Sequence, residues 1–286
     1  MLRQIGATAV ISMLTTSNLA TLAATFGYRS MRVIVSERND TTIEPLPRLL
    51  QVARRRLYGR ADVVTANVQR SLDDMRRYVA SDRLRFVPNS VETPDWKVDA
   101  AAAKRVLFVG RMVEQKDPVA AVNGFARACG TSSAGQTDGW QLVMVGEGPL
   151  LDEVRAEVDR WSIGDQVMLT GYLNDVAEQL RHASIFVMTS RFEGTPNALL
   201  EAMAAGHASV VSDALPGALH YVDDEVSGLV YRHGDTDHLA HQLRRLMDDA
   251  QLRGRLGDEA RHRMGELAPE IVAATWMSLL VSEAPR

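Results

Sequence analysis

Two carboxylates eight residues apart, Glu193 and Glu201, bracket a glycine, a proline and an apolar run in Arg191-Phe192-Glu193-Gly194-Thr195-Pro196-Asn197-Ala198-Leu199-Leu200-Glu201-Ala202-Met203-Ala204-Ala205-Gly206. The pattern predicts a strand ending near Ser190, a turn at Gly194 and a helix opened by Pro196. Free backbone N–H groups would then face the carboxyl end of a sheet, which is a seat for an anion. Ionised carboxylates accept hydrogen bonds from vicinal hydroxyls, so two of them beside a phosphate seat suit a sugar. The plainer alternative is one helix glutamate and one surface acid. Upstream, Phe108-Val109-Gly110-Arg111-Met112-Val113-Glu114-Gln115-Lys116-Asp117-Pro118 puts Arg111 and Lys116 around a turn past another strand. Two cations near a helix N-terminus can neutralise a diphosphate.

Other patterns carry less. Gly146-Glu147-Gly148-Pro149-Leu150-Leu151 has the place of a dinucleotide fingerprint between strand and helix, but Leu151 stands where its third glycine belongs, and Asp152, Glu153 and Glu157 would repel a pyrophosphate. Asp235-Thr236-Asp237 has a spacing used to hold a nucleotide diphosphate through a divalent cation, yet between Gly234 and Leu239 it reads better as a helix N-cap with a first-turn acid, and no metal is expected. His238 and His241 lack a third ligand at metal-binding spacing. The basic run Arg48, Arg54, Arg55, Arg56 and Arg60 reads as a solvated helix face, with approach to anionic lipid or a lipid diphosphate as the functional alternative.

The elements that must position these residues are legible as alternating short β-rich runs and helical patterns, the signature of an α/β chain with parallel sheets. Candidate strands lie at 9–14, 32–36, 62–66 and 85–87, then at 105–109, 141–145, 167–170, 185–189, 209–212 and 228–231, with helices between. Asp237 to Glu283 is almost wholly helical. The turn-rich passage from Val87 to Asp95 breaks the series, so the expected organisation is a partial amino-terminal domain over 1–94, a linker over 95–104 and a second domain over 105–286 with terminal helices. Four candidate strands are few for a buried mononucleotide-binding sheet, so the first domain is expected to be incomplete and to leave a strand edge at 9–14 or 32–35.

Composition fits an ordinary globular chain of 286 residues, 46% hydrophobic and 24% charged. With 32 Lys and Arg against 36 Asp and Glu, the net charge of −4 gives no global attraction to nucleic acid, and no nucleic-acid partner is expected. The single cysteine, Cys129, cannot form an internal disulfide, which points to a reducing, cytoplasmic setting. No run reaches the roughly 18 uncharged apolar residues of a membrane span. Peripheral contact with the inner face of a membrane is carried as an expectation for the basic run.

From Val87 to about Leu280 the chain resembles the GT-B-fold glycosyltransferases, specifically glycosyltransferase family 4. The resemblance rests on Val87-Pro88-Asn89, Phe108-Val109-Gly110-Arg111 through Lys116, Val145-Gly146-Glu147-Gly148-Pro149, Gly171-Tyr172, Ser190 to Gly194, Glu201 to Gly206, Ser212-Asp213 and Gly228-Leu229-Val230, in order and spacing. It implies two Rossmann-like domains and a retaining enzyme that moves a hexose or N-acetylhexosamine from a nucleotide diphosphate sugar, expected to be UDP-linked, to a glycan or lipid-linked acceptor, with no cofactor. Glu193 and Glu201 match the family's E-x7-E motif, which implies that Glu193 contacts the donor sugar and Glu201 the ribose. Arg111 and Lys116 match its diphosphate pair, and Gly110, Gly148, Gly194, Thr195, Pro196 and Asn197 its donor-binding positions. Leu14 to Leu19 and Val35-Ser36-Glu37-Arg38-Asn39-Asp40 are similar to the second half of the amino-terminal domain, which places Glu37, Arg38 and Asn39 on the acceptor side. The family's first strand and its glycine-rich loop have no counterpart, so the alternative expectation is an inactive nucleotide-sugar-binding fragment.

Overall fold

The β-branched runs become ten strands in two parallel sheets in the computed structural model, which describes residues 6–28, 31–43, 46–101, 104–130 and 139–281. The chain divides into two compact units, residues 1–90 with 269–286, and residues 91–268.

In the first unit β1 (Ala9–Met13), β2 (Arg32–Glu37), β3 (Val63–Ala66) and β4 (Leu84–Phe86) lie in sequence order. Alternation along β2 sends Val33 and Val35 to one face and Ile34 to the other. The first face is covered by α1 (Thr15–Ala24), α2 (Arg48–Leu57) and α3 (Gln69–Met75), whose Leu19, Leu22, Leu72 and Met75 join Tyr58 in one core. The second face is covered by the last helix of the chain, through Val272, Leu279 and Trp276. Arg32 Nε donates to the Leu279 carbonyl at 2.6 Å. Of the two strands expected to leave an edge, β1 is at the edge and β2 is interior.

The second unit has the strand order β10-β9-β8-β5-β6-β7, all parallel. Its strands are β5 (Arg105–Val109), β6 (Gln141–Val145), β7 (Val167–Gly171), β8 (Ile185–Met188), β9 (Ala208–Ser212) and β10 (Leu229–Tyr231). Between them run α4 (Pro118–Gly130), α5 (Leu151–Trp161), α6 (Ala177–His182), α7 (Asn197–Ala205) and α8 (Pro216–Leu219), followed by α9 (Thr236–Asp248), α10 (Ala250–Met264) and α11 (Pro269–Val281). Most strand positions are apolar, and those of the central strands are buried on both faces. Val106 and Phe108 pack with α4, α5 and α9, in a core that includes Cys129, while Leu107 and Phe186 pack with α6, α7 and α10. Asp235 caps α9 by accepting from the His238 N–H at 2.8 Å, the role expected of Asp235-Thr236-Asp237. The order runs outward from β5 in one direction and from β8 in the other, so β5 and β8 flank the switch point where open α/β sheets leave a crevice at the strand carboxyl ends.

The units differ from the expected segments in two places. Residues expected to link domains over 95–104 are held to the second unit. Val98 N–H donates to Ala205 O at 3.1 Å, Arg261 donates to the Trp96 and Pro94 carbonyls, and Arg253 donates to Ala100 O. The second difference is α11, which packs on the first sheet because the backbone at Ala268 turns extended (φ −53°, ψ 142°) before Pro269 and ends the helical run. The stretch 250–281 is a candidate membrane span by length and composition, but this turn divides it. At 13 residues α11 is about 20 Å long, shorter than a hydrocarbon core of about 30 Å.

Candidate active site

The crevice at β5 and β8 is built from two loops tied to each other. Thr189, just past β8, donates its hydroxyl to the Lys116 and Asp117 carbonyls at 2.9 and 2.8 Å. Arg191 N–H donates to Gln115 O at 2.8 Å, Gln115 Nε2 donates to Phe192 O at 3.0 Å, and Arg191 Nε meets Asp117 Oδ2 at 3.3 Å. These contacts fix the path that turns into α4 at Pro118, with Asp117 in the left-handed region at φ 46°. Within this frame Lys116 Nζ donates to Glu193 Oε1. Lys116 keeps 19% of its side-chain exposure and Glu193 7%, so the pair is largely removed from water. The Lys116 stem passes close to Gly110, where a Cβ would meet Lys116 Cδ at 3.3 Å.

Two carboxylate-adjacent segments explain glycines that a fingerprint reading would assign to phosphate. Gly146 and Gly148 have φ of 137° and 155°, and a Cβ on either would stand 2.0 Å from Gly110 O or 2.4 Å from Met112 O. Met112 N–H donates to Glu147 O at 2.8 Å and Leu150 N–H to Met112 O at 2.9 Å. Gly148, expected at the donor, therefore seats the β5–α4 loop. Gly217 does the same for the other loop, since its Cβ would meet Gly194 O at 2.2 Å.

After Gly194 and Thr195, both half-buried, Pro196 (φ −83°, ψ 74°) opens α7 with no side-chain cap. Leu199, Leu200 and Met203 face the core, leaving Glu201 on the outer side. There it lines a cleft of about 620 Å³ with Pro94, Trp96, Asp175, Val176 and Leu180. Glu201 is exposed as a residue, yet the cleft wall withdraws enough water from its carboxyl for desolvation to raise its pKa above the ordinary value. Arg111 is exposed at the end of β5 and makes no ion pair among the described residues.

Of the expected site residues, then, Lys116 and Glu193 meet directly, Gly110 lies against the Lys116 stem, the Gly194 carbonyl faces Gly217, Arg111 is exposed beyond β5, and Glu201 faces the cleft along α7. Sequence reasoning missed Thr189, Gln115, Arg191 and Gly217, whose partners lie more than 20 residues away. Their only local signal is position, just past a strand or beside a proline.

In the first unit Glu37 departs from its expected acceptor-side role. It is buried at 1% exposure as the last residue of β2 and accepts from Thr15 Oγ1 at 2.8 and 2.9 Å and from Tyr58 OH. Asn18 Nδ2 donates to Tyr58 OH at 3.1 Å. Burial and then the Glu37 charge push the Tyr58 hydroxyl well above the ordinary tyrosine range, so it stays a donor. The carboxylate is thus part of a core network. Arg38 is half-buried and donates to Val87 O at 3.2 Å and to Asn89, whereas Asn39 is exposed and accepts from Ser71 through its carbonyl.

A four-stranded parallel sheet in sequence order and a doubly wound six-stranded one, with Lys116 and Glu193 paired at the switch point of the second, define a Rossmann-like, GT-B class of chain. The profile described as Glycosyl transferases group 1 matches residues 95–263, more than half of the sequence, and the chain belongs to that family. It is 25% identical over 272 residues to a Campylobacter jejuni protein named as a GalNAc-alpha-(1->4)-GalNAc-alpha-(1->3)-diNAcBac-PP-undecaprenol alpha-1,4-N-acetyl-D-galactosaminyltransferase, covering 94% of this chain and 73% of that one. It is 27% identical over 208 residues to the exopolysaccharide phosphotransferase SCO2592 of Streptomyces coelicolor, covering 72% of this chain and 22% of that one. Among solved structures, Anabaena HepE in complex with UDP superposes with a TM-score of 0.84 at 16% identity, covering 96% of this chain and 79% of that one. TarM gives 0.80 at 16% identity, covering 98% and 57%. These structural likenesses establish the shared fold.

Proposed function

We propose that the chain is a retaining, family 4 glycosyltransferase that moves a hexose or N-acetylhexosamine from a nucleotide diphosphate sugar, with UDP as the leading nucleotide, to a glycan or lipid-linked acceptor. The observation that carries this is the Lys116–Glu193 pair at the switch point, one turn ahead of the uncapped N-terminus of α7. As the bond from the anomeric carbon to the diphosphate oxygen breaks, the electron pair leaves with the diphosphate. Lys116, Arg111 and the positive end of the α7 dipole meet that growing charge, and the desolvated setting of Lys116 strengthens its share. Glu193 orients the sugar by accepting from its hydroxyls, and Glu201 accepts from the ribose. The acceptor hydroxyl forms the new bond on the face the diphosphate leaves and gives its proton to the departing oxygen, so no carboxylate serves as a covalent nucleophile. These groups meet the negative charge without a metal, and the enzyme works in the cytoplasm, where nucleotide sugars are available. The names of relatives acting on diphosphoundecaprenol-linked sugars support a lipid-linked acceptor.

The test is calorimetry with UDP, uridine and a panel of UDP sugars against the wild type and the Arg111→Ala/Lys116→Ala pair. The pair should weaken UDP by about 3 kcal/mol, from charge-assisted contacts of about 1.5 to 3 kcal/mol each partly shared, and leave uridine nearly unchanged. Equal loss for both ligands would contradict the diphosphate assignment.

A further inference from the structure

Residues 115–117 are tied one by one to the segment that follows β8. Gln115 accepts at its carbonyl from Arg191 N–H and gives its side-chain amide to Phe192 O, Asp117 meets Arg191 through its carboxylate, and Lys116 reaches Glu193. Arg191 keeps 52% of its side-chain exposure, so its pair with Asp117 at 3.3 Å is screened by water and holds little. Thr189 is placed differently. It is fully buried, and its one hydroxyl lies 2.9 Å from Lys116 O and 2.8 Å from Asp117 O. The four residues before it, Ile185-Phe186-Val187-Met188, are buried and apolar, and valine has the same branched shape, so packing alone gives no reason for a hydroxyl here. Its reason is the two carbonyls it serves. Asp117 is held in the left-handed region at φ 46°, which a residue with a Cβ enters against its own preference and keeps only where its surroundings fix it. The Asp117 carbonyl also accepts from Ala120 N–H at 3.2 Å, so the Thr189 hydroxyl ties the first turn of α4 to the end of β8.

We propose that Thr189 is a positioning residue for the donor diphosphate, acting through Lys116. Holding two successive carbonyls fixes the backbone at Lys116 and the left-handed turn after it, and with them the direction in which the lysine stem leaves the loop. The stem then runs past Gly110 to Glu193. An ammonium set in place before the ligand arrives needs little reorganisation on binding, which is where a fixed charge gains over a mobile one. Released from the hydroxyl, the turn relaxes toward the ordinary φ of an aspartate and carries Lys116 with it. The inference rests on the transferase reading, because it gives Thr189 its effect through a diphosphate contact.

Calorimetry of the full chain with UDP and with uridine tests it, beside thermal unfolding of each variant. T189V keeps the shape and removes the hydroxyl; it should weaken UDP about fivefold, a fraction of one charge-assisted contact, and leave uridine unchanged. T189S restores the hydroxyl and should bind UDP within about twofold of wild type. K116M should weaken UDP at least about tenfold. Adding T189V to K116M should then cost no further UDP affinity, because the side chain that Thr189 positions is gone. The melting temperature should still fall on that addition, since the carbonyls lose their donor, so a purely structural role moves the melting temperature and not the coupling. T189V with wild-type UDP affinity would overturn the proposal while leaving the donor site standing. So would the same fivefold loss in the K116M background, or T189S binding no better than T189V. K116M with wild-type UDP affinity would strike the donor reading itself, and this inference with it.

Discussion

Replacing Lys116 by Met keeps the side chain's length and removes its charge, leaving the Glu193 carboxylate buried at 7% exposure with its cation gone. Breaking one side of a buried pair costs about 3 to 5 kcal/mol, because the remaining charge stays desolvated. Lys116 itself keeps 19% exposure, so water can reach the vacated position, and the lower end, about 3 kcal/mol, is expected. In a unit of this size, residues 91–268, each kcal/mol moves the melting temperature by about 2 to 4 °C, which gives a fall of roughly 6 to 12 °C. Lys116→Met/Glu193→Gln removes both charges and should recover all but about 1 kcal/mol, since a neutral amide of the same shape carries a far smaller desolvation cost. Urea and thermal unfolding of the two single variants and the double give the coupling directly. A Lys116→Met loss below about 0.5 kcal/mol, with no recovery in the double variant, would show that the pair is solvent-relaxed and would refute the picture of a preorganised, dry charge at the switch point.

Five further outcomes follow from the same structure. Glu201→Ala should weaken UDP by about 1.5 to 3 kcal/mol in calorimetry. Because desolvation raises the free carboxyl above 4.5 and ribose hydroxyls favour its ionised form, wild-type affinity should rise with pH through that raised value, a slope absent in Glu201→Gln. Gly217→Ala puts a Cβ 2.2 Å from Gly194 O and should weaken UDP sugar binding more than it lowers stability, as judged by calorimetry beside thermal unfolding. His207, fully buried with its pKa lowered to about 4 by desolvation, stays neutral while the unfolded chain protonates near 6.5, so stability should fall by roughly 3 kcal/mol as pH drops from 6.5 to 4, and His207→Leu should flatten that slope in acid unfolding curves. A fragment of residues 91–268 should be monodisperse by size-exclusion chromatography, whereas 105–286 should self-associate, because it strands α11 with Val272, Trp276 and Leu279 uncovered and loses Val91 and Val98.

What the sequence showed and what it hid have physical reasons. Val106-Leu107-Phe108 and Ile185-Phe186-Val187-Met188 are buried on both faces, so their apolar runs mark strands unmistakably, and Pro118 and Pro196 mark where α4 and α7 begin. The family resemblance put Lys116 and Glu193 at one expected donor site, but that the two side chains meet depends on β5 and β8 being neighbours, which no local pattern announces. Glu37 was not: Ser36-Glu37-Arg38-Asn39-Asp40 looks like a polar surface turn, and only Thr15 and Tyr58, 22 and 21 residues away, make it a core carboxylate. The destination of α11 was hidden for a similar reason, since an apolar helix fits either sheet and Pro269 announces a break without saying where the chain goes next. Gly146 and Gly148 carried a recognisable motif whose cause is the approach of the Gly110–Met112 backbone rather than a ligand.

The most direct test of the donor site is a crystal structure of the chain with UDP. The diphosphate oxygens should lie within about 3 Å of Lys116 Nζ and in front of the N-terminus of α7, with the ribose hydroxyls on the Glu201 carboxylate. Nucleotide density that leaves Lys116 paired to Glu193 alone, with its phosphates away from the start of α7, would contradict the account.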